Sequence, residues 1–129
     1  MAMSVTQTYS PGAVQRGIKT LTCVWVSAAD GSASAVLDPK IVGEIRNVKF
    51  IPSATAAPTA SYDVTLLDAH GIDYLKGLGA DQSATVAAMV HPRELDAVGS
   101  GPLLCHVPLT LTIAAAGDTK GGTVIITWR

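Results

Sequence analysis

Hydrophobic and polar residues alternate along much of this chain. From residue 18 to residue 26, Leu21, Cys23 and Trp25 share one parity, while threonines and valines fill much of the other. Successive side chains of a strand point to opposite faces, so a period of two that is rich in β-branched residues predicts a strand. Both faces of this strand carry apolar residues, and we therefore expect it to be covered on both sides over part of its length.

The same period marks further strands. The runs that it predicts are residues 5–9, 33–37, 41–51, 61–67, 109–114 and 123–128. The period slips near Gly43, which predicts a bulge or bend there. Residues 85–90 are rich in alanine and fit either a strand or a helical turn. Residues 92–102 are predicted to be irregular, because prolines and glycines bound them.

Turn residues separate these runs. Asp30-Gly31 is typical of a hairpin turn, and segment 116–122, rich in Gly and Asp, joins the last two runs, which predicts a second antiparallel hairpin. Short strands at regular spacing, with almost no helical period, indicate an all-β fold. The prediction is a single-domain antiparallel β-sandwich with a jelly-roll-like topology, although another sandwich or a closed barrel fits the same pattern.

The N-terminal segment is set apart from this domain. The short β-like run Val5-Thr6-Gln7-Thr8-Tyr9 ends at Ser10-Pro11-Gly12, a turn sequence. We therefore divide the chain into an extended N-terminal arm, residues 1–16, and a β-sandwich domain, residues 17–129. Arms of this kind are often loose unless they pair with another strand.

Composition narrows the class of partner. Hydrophobic residues make up 48% of the 129 residues and charged residues 15%. The chain is too apolar for a disordered protein, and it carries less charge than the ~25% usual in globular domains. Either the domain is an ordinary one that is rich in alanine, or its surface is suited to binding partners. The net charge is −1 and the basic residues are scattered, so no specific nucleic-acid partner is expected.

The sequence also indicates where the protein is made and whether its two cysteines are free. Met1-Ala2-Met3-Ser4 lacks the basic start and apolar stretch of a secretory signal, and no apolar run approaches the ~20 residues of a membrane span. We expect a protein made in a cytoplasm, with no membrane partner. Cys23 and Cys105 are interpreted as two buried free thiols, although the sequence leaves a disulfide between them open.

One candidate metal site lies in a predicted turn. Asp68, His70 and Asp73 are residue types that divalent metals accept as ligands. However, Asp and Gly at the end of a strand are already accounted for by turn chemistry, and that structural interpretation is favoured. We predict no metal site and no cofactor.

Cys105-His106 resembles a thiolate–imidazole nucleophile in residue type only. Adjacent strand residues point to opposite faces, so the two side chains are not expected to bond to each other, and a third group to orient the base is not evident. Trp25 and Trp128 are predicted to fill the core. We predict no catalytic residue and no enzymatic activity.

Two stretches carry a resemblance to a known family. One is residues 43–73 with the run Ser61-Tyr62-Asp63-Val64-Thr65-Leu66-Leu67-Asp68, and the other is residues 109–126 with Leu109-Thr110-Leu111-Thr112-Ile113 and Gly121-Gly122-Thr123-Val124. Both resemble small structural proteins of tailed bacteriophages, some of which are head decoration (cement) proteins with jelly-roll or related folds. The resemblance covers most of residues 17–129, although the Ala-rich residues 80–101 fit it poorly.

The resemblance implies a virion protein without catalytic residues. As a cement protein it would bind the major capsid protein on the capsid exterior and stabilise the head, after assembly in the bacterial cytoplasm. It would also associate with itself, as a homodimer or homotrimer at a capsid symmetry axis. We expect partner contacts from Val5, Gln7 and Tyr9, through pairing of the arm with a neighbour's strand edge, and from Tyr74. The alternatives are a carbohydrate- or receptor-binding β-sandwich on the virion, and a tail or head-completion protein.

Overall fold

The computed structural model describes residues 3–11, 17–95 and 100–129. They form ten strands: β1 Ser4–Ser10, β2 Lys19–Val26, β3 Ala33–Val36, β4 Gly43–Pro52, β5 Asp63–Leu67, β6 Ala88–Val90, β7 Arg93–Leu95, β8 Ser100–Cys105, β9 Thr110–Ala114 and β10 Gly121–Trp128. The predicted all-β class is confirmed. Within the described ranges there is no helix of the length and hydrophobicity needed to cross a membrane.

The strands form two antiparallel sheets. The larger sheet has the order β1-β2-β10-β4-β8-β7, with β6 also paired to β4, and the smaller sheet has the order β3-β9-β5. The predicted antiparallel, single-domain architecture is therefore confirmed, while this strand order does not establish jelly-roll connectivity. Residues 85–90 supply the short strand β6. Residues 92–102, which were predicted to be irregular, contain β7 and the start of β8.

Both predicted hairpins are wrong. The turn at Asp30-Gly31 joins β2 of the larger sheet to β3 of the smaller one, and the turn before Gly121 joins β9 to β10 in the same way. An alternating run identifies a strand and a turn sequence identifies a reversal, but neither identifies the strand's partner. Here each reversal lets the chain cross from one sheet to the other.

The two crossings are tied together by Ser27, a fully buried polar residue. Its hydroxyl donates to the carbonyl oxygen of Gly117 at 2.5 Å and accepts a hydrogen bond from the backbone N–H of Lys120 at 2.9 Å. The backbone N–H of Ala116 donates to the carbonyl oxygen of Gly31 at 3.0 Å. These bonds fix one end of the sandwich.

The predicted irregularity in β4 lies further along the strand than Gly43. Thr127 of β10 pairs with Asn47, whereas Trp128 pairs with Ile45, so the extra residue of the bulge falls at Arg46. Gly43 has another role. Its φ of 137° is one that glycine tolerates, and a Cβ there would overlap the carbonyl oxygen of Arg129.

The core lies between the two sheets and is built from the inward residues of both. Trp25 and Trp128 are each 1% exposed, which confirms that they fill the core. The ring of Trp25 lies 5.6 Å from that of Tyr62, which directly precedes β5. This aromatic pair connects the larger sheet to the smaller one.

The edge of the smaller sheet at β5 is covered by residues 73–82. Val64 donates its backbone N–H to the carbonyl oxygen of Gly79 at 2.8 Å, and Tyr62 forms an antiparallel bridge with Gln82. Leu75, which is fully buried, lies in the same segment. Covering the edge in this way removes a template for unwanted strand pairing.

Candidate interaction surface

The three N-terminal residues predicted to bind a partner point toward the inner side of the larger sheet. Val5, Gln7 and Tyr9 lie opposite Trp25, Cys23 and Leu21 of β2, and residues paired in this way share a face of the sheet. All three of those β2 residues are buried. Tyr9 stacks on Trp128, with ring centroids 5.9 Å apart, and Val5 packs against the core.

Gln7 links β1 to the smaller sheet. Its side-chain Nε2 donates to the carbonyl oxygen of Val36 at 2.9 Å, and its Oε1 accepts from the backbone N–H of Asp38 at 2.9 Å. The amide side chain thus bonds to the edge of β3 much as a neighbouring strand would. The strand expected to reach a neighbour is paired along its whole length with β2 of its own chain.

Tyr74 lies in the segment that covers the edge of β5. Its backbone N–H donates to the carbonyl oxygen of Leu66 at 2.7 Å, and its half-buried side chain packs against the core. A role in partner binding for this residue and for the three of β1 stays a prediction. The structure gives all four contacts within the chain.

The carboxylates of the candidate metal turn accept hydrogen bonds from nearby backbone N–H groups. Asp68 accepts from His70 at 2.9 Å and from Ile72 at 3.0 Å, and the bond from Ile72, more than that from His70, lowers the pKa of this carboxyl. Asp73 accepts from Leu66, Leu75 and Gly77. This is the turn chemistry that the sequence indicated. In the part of the chain that the structure describes, no three His, Cys, Asp or Glu residues are grouped as metal ligands would be.

Cys105 and His106 point to opposite sides of the chain, as predicted. Cys105 is buried and its thiol donates to the carbonyl oxygen of Val107 at 3.5 Å, whereas His106 is exposed. Burial raises the pKa of the Cys105 thiol. Both features disfavour the thiolate that a nucleophilic cysteine needs.

Cys23 and Cys105 are both free thiols, which confirms that interpretation of the sequence. We expect native protein at pH 8 to react with a thiol reagent about 100-fold more slowly than protein in denaturant, because reaction requires opening of the core. Absorbance or mass labelling over time measures this. Rapid labelling of the native protein at both positions would contradict the prediction.

The buried thiols also predict alkaline sensitivity. Burial raises the pKa of Cys23 from its ordinary 9.0 to about 11. Below pH 9 this thiol is protonated in both the folded and unfolded chain. Above pH 9 only the unfolded chain releases the proton, so the free energy of unfolding falls, by at most about 1.4 kcal/mol per pH unit for one group. Denaturant titrations from pH 8 to 11 test this, with Cys23→Ala as the variant whose alkaline loss is smaller.

The side of the larger sheet that faces away from the core is left uncovered by residues 3–11, 17–95 and 100–129. Its side chains, which we call the outer face, are all exposed or half-buried. They are Ser4, Thr6, Thr8, Ser10, Thr20, Thr22, Val24, Val26, Glu44, Arg46, Asn47, Lys49, Ile51, Met89, Leu104, Thr123, Ile125 and Thr127. Three of these carry a charge: Lys49, and Glu44 with Arg46, which form an ion pair at 3.2 Å near the start of β4. The sequence predicted cover on both sides of β2 over part of its length, whereas among the described residues only the inward side is fully buried: Thr20, Thr22 and Val26 are half-buried and Val24 is exposed.

The outer face is ordered in rows that run across the strands. One row is Thr6, Val24, Thr123 and Ile51, and the next is Thr8, Thr22, Ile125, Lys49 and Met89. Val24 is 48% exposed, Ile51 37% and Met89 51%. An apolar band therefore crosses the sheet from β2 to β6 among threonines.

A shallow depression of about 380 Å³ adjoins this band. It is lined in part by Val24, Val26 and Thr123, and it extends to Ser53 and Thr55 in the loop that follows β4. Gly121, which has no side chain, also lines it. The outer face thus offers both projecting apolar side chains and a recess beside them.

The fold defines the class of protein as an antiparallel β-sandwich, and comparison with known proteins adds little to that. No family model matches the chain, and no curated protein matches it. Among solved structures, a crystal structure of FLHE is similar at 14% identity and a TM-score of 0.36, covering 100% of this chain and 99% of that one.

These findings overturn the resemblance to tailed-bacteriophage proteins. None of the three comparisons finds a phage protein: no family model and no curated protein matches, and the similar solved structure described above is of FLHE. The predictions of a capsid decoration protein and of a virion protein of another kind are therefore wrong. The motifs behind them are strand and turn signatures, which antiparallel β-proteins share because the physics of strands and turns is the same in all of them.

Proposed function

We propose that this chain is a non-enzymatic binding protein that recognises another protein surface through the outer face of its larger sheet. The observation that carries the proposal is that the described residues leave this face uncovered, that an apolar band crosses it, and that its charges are Lys49 and the Glu44–Arg46 ion pair. A contiguous apolar patch exposed on a folded domain often marks an interaction site, whereas apolar residues scattered singly over a surface do not.

The chemistry of the outer face suits protein contact. Threonine, valine and isoleucine are branched at Cβ, so they have few rotamers to lose when a partner covers them. Ile125 itself is uncharged, so its own side chain can be covered without removing a charge from water. The threonine hydroxyls around the band supply both donors and acceptors for hydrogen bonds at its margin.

The placement of reactive groups also favours binding over catalysis. His106 is exposed on the side opposite to Cys105, and the carboxylates of Asp68 and Asp73 accept hydrogen bonds from turn N–H groups. A catalytic site needs such groups to converge on one substrate position. In this fold they serve separate local structures.

A matched pair of variants tests the proposal. Val24→Lys places a charge in the apolar band, and Val36→Lys makes the same change on β3 of the other sheet, where the valine is 62% exposed. Immobilised wild-type, V24K and V36K proteins would be probed with extract of the source cells and with the purified chain itself. We expect V24K to lose at least about 10-fold of the binding of wild type, because burying an unpaired charge is costly, while V36K keeps it.

A folding control makes the result interpretable. Thermal unfolding must show that both valine variants fold, and both substitutions are at exposed positions where small effects are expected. Equal binding by wild type, V24K and V36K, of the extract proteins and of the chain itself, would overturn the proposal.

A further inference from the structure

We infer that the partner which covers the outer face is a second copy of this chain, stacked sheet on sheet about a two-fold axis parallel to β10. The inference rests on the proposed function and names the partner for it. It comes from the arrangement of the apolar positions, which is self-complementary about the central strand β10.

The row through Thr123 carries the symmetry. Val24 lies on one side of β10 and Ile51 on the other, in register with the same residue, Thr123. Rotation by 180° about an axis along β10 exchanges the two flanking strands. Val24 of one copy then faces Ile51 of the second copy, and each contact occurs twice, as an isologous interface requires.

The next row behaves in the same way. Ile125 lies on β10 itself and meets its own copy at the axis, while Lys49 on β4 faces Thr22 on β2 of the second copy. No two lysines oppose each other in this arrangement. A net charge of −1 for the whole chain adds little long-range repulsion between the copies.

The recess beside Val24 supplies the complementary shape. Ile51 of the second copy would lie over Val24, next to the depression of about 380 Å³ that Gly121 and Val26 help to line. Stacked sheets interdigitate their side chains at a separation of about 10 Å. The side chain of Ile51 from one copy therefore lies at the edge of the recess in the other.

The available area fits a dimer of moderate affinity. Four strands, β1, β2, β10 and β4, at about 4.8 Å spacing and over seven residues at about 3.3 Å, give a flat area of about 450 Å², and side-chain relief increases the accessible surface. Stable interfaces begin near ~600 Å² per partner. We therefore expect dissociation constants around the micromolar range, so that the dimer forms and dissociates with concentration.

Sedimentation across a concentration range tests the dimer. Wild type should shift from monomer to dimer, and Ile125→Lys should weaken the association by about 100-fold or more, because two lysines would meet at the axis. Thr112→Lys is the matched control, since Thr112 is also half-buried and lies on β9, the central strand of the other sheet. It should dimerise like wild type.

Cross-linking with a short bis-maleimide tests the symmetry. Ile125→Cys should cross-link to itself, whereas Thr112→Cys should not. Val24→Cys mixed with Ile51→Cys should give more cross-linked dimer than either variant alone, since the axis places these positions opposite each other. The two native cysteines are buried, so wild type serves as the blank.

The outcomes separate this inference from the proposed function. A wild-type chain that stays monomeric at concentrations well above micromolar, or a dimer that I125K leaves intact, overturns the inference. If V24K nevertheless loses another protein that wild type retains, the proposed function stands with a different partner. A monomer that also binds nothing through this face overturns both.

Discussion

Replacing Trp25 with alanine is expected to lower the free energy of unfolding by about 3–5 kcal/mol, the range for removing a large aromatic from a core. The side chain is 1% exposed and packs 5.6 Å from the ring of Tyr62, across the gap between the sheets. Its loss leaves a cavity where the two sheets meet. Because domains of this size are stable by only about 5–15 kcal/mol, much of the variant should unfold in modest denaturant.

Val24→Ala is the matched control for that change. Val24 is the neighbour of Trp25 on the same strand, but it points to the outer face and is 48% exposed. We expect a loss within about 0.5 kcal/mol in the monomer. Urea unfolding monitored by circular dichroism compares the two. Similar losses in the free energy of unfolding for both variants would show that the contact of Trp25 with Tyr62 contributes little to stability.

Gly79→Ala is expected to cost about 3 kcal/mol, from steric overlap instead of a cavity. Gly79 accepts the backbone hydrogen bond from Val64, and a Cβ there would overlap the carbonyl oxygen of Val64 and lie 2.9 Å from Leu75. The backbone of the strand cannot move away without breaking the bond. Residues 73–82 should then detach from the edge of β5.

Gly77→Ala provides the contrast within the same segment. Its φ is +83°, which strains alanine by about 1–2 kcal/mol, but an added Cβ meets no atom within 4 Å. Thermal unfolding should therefore rank Gly79→Ala below Gly77→Ala. Hydrogen exchange at Val64 should rise more in the Gly79 variant. The reverse order would contradict the close approach at Gly79.

The sequence predicted the strands well because side-chain alternation is a local property. The predicted runs 18–26, 41–51 and 123–128 each overlap an observed strand, β2, β4 and β10, over most of their length, and the alternation also separated inward Leu21 from outward Thr22. The choice of partner strand is not a local property. It depends on which strands meet across the core, and so Asp30-Gly31 was assigned to a hairpin although it joins two sheets.

The candidate surface was only partly predictable. The threonines and valines of β2 were identified as one face of a strand, yet nothing in a local pattern tells which face will be covered. For β1, Gln7 was expected to contact a partner because it lies in the N-terminal arm, which was predicted to pair with a neighbour's strand edge. Its role in bonding to Val36 depends on a residue 29 positions away, which no local pattern contains.

The buried hydroxyl of Ser27 shows the same limit. Serine at a strand end is usually a turn residue. Here it is fully buried because two chain crossings, 90 positions apart, meet around it.

The position of β10 also constrains synthesis of the protein on the ribosome. The last strand of these 129 residues lies between β2 and β4, so a growing chain carries both neighbours with an open seam between them until residues 121–128 emerge. Until β10 is in place, the exposed edges of β2 and β4 can pair wrongly with other strands. Nascent chains arrested before Gly121 should accordingly be digested by protease, and resistance should arise only after the final strand has closed the seam.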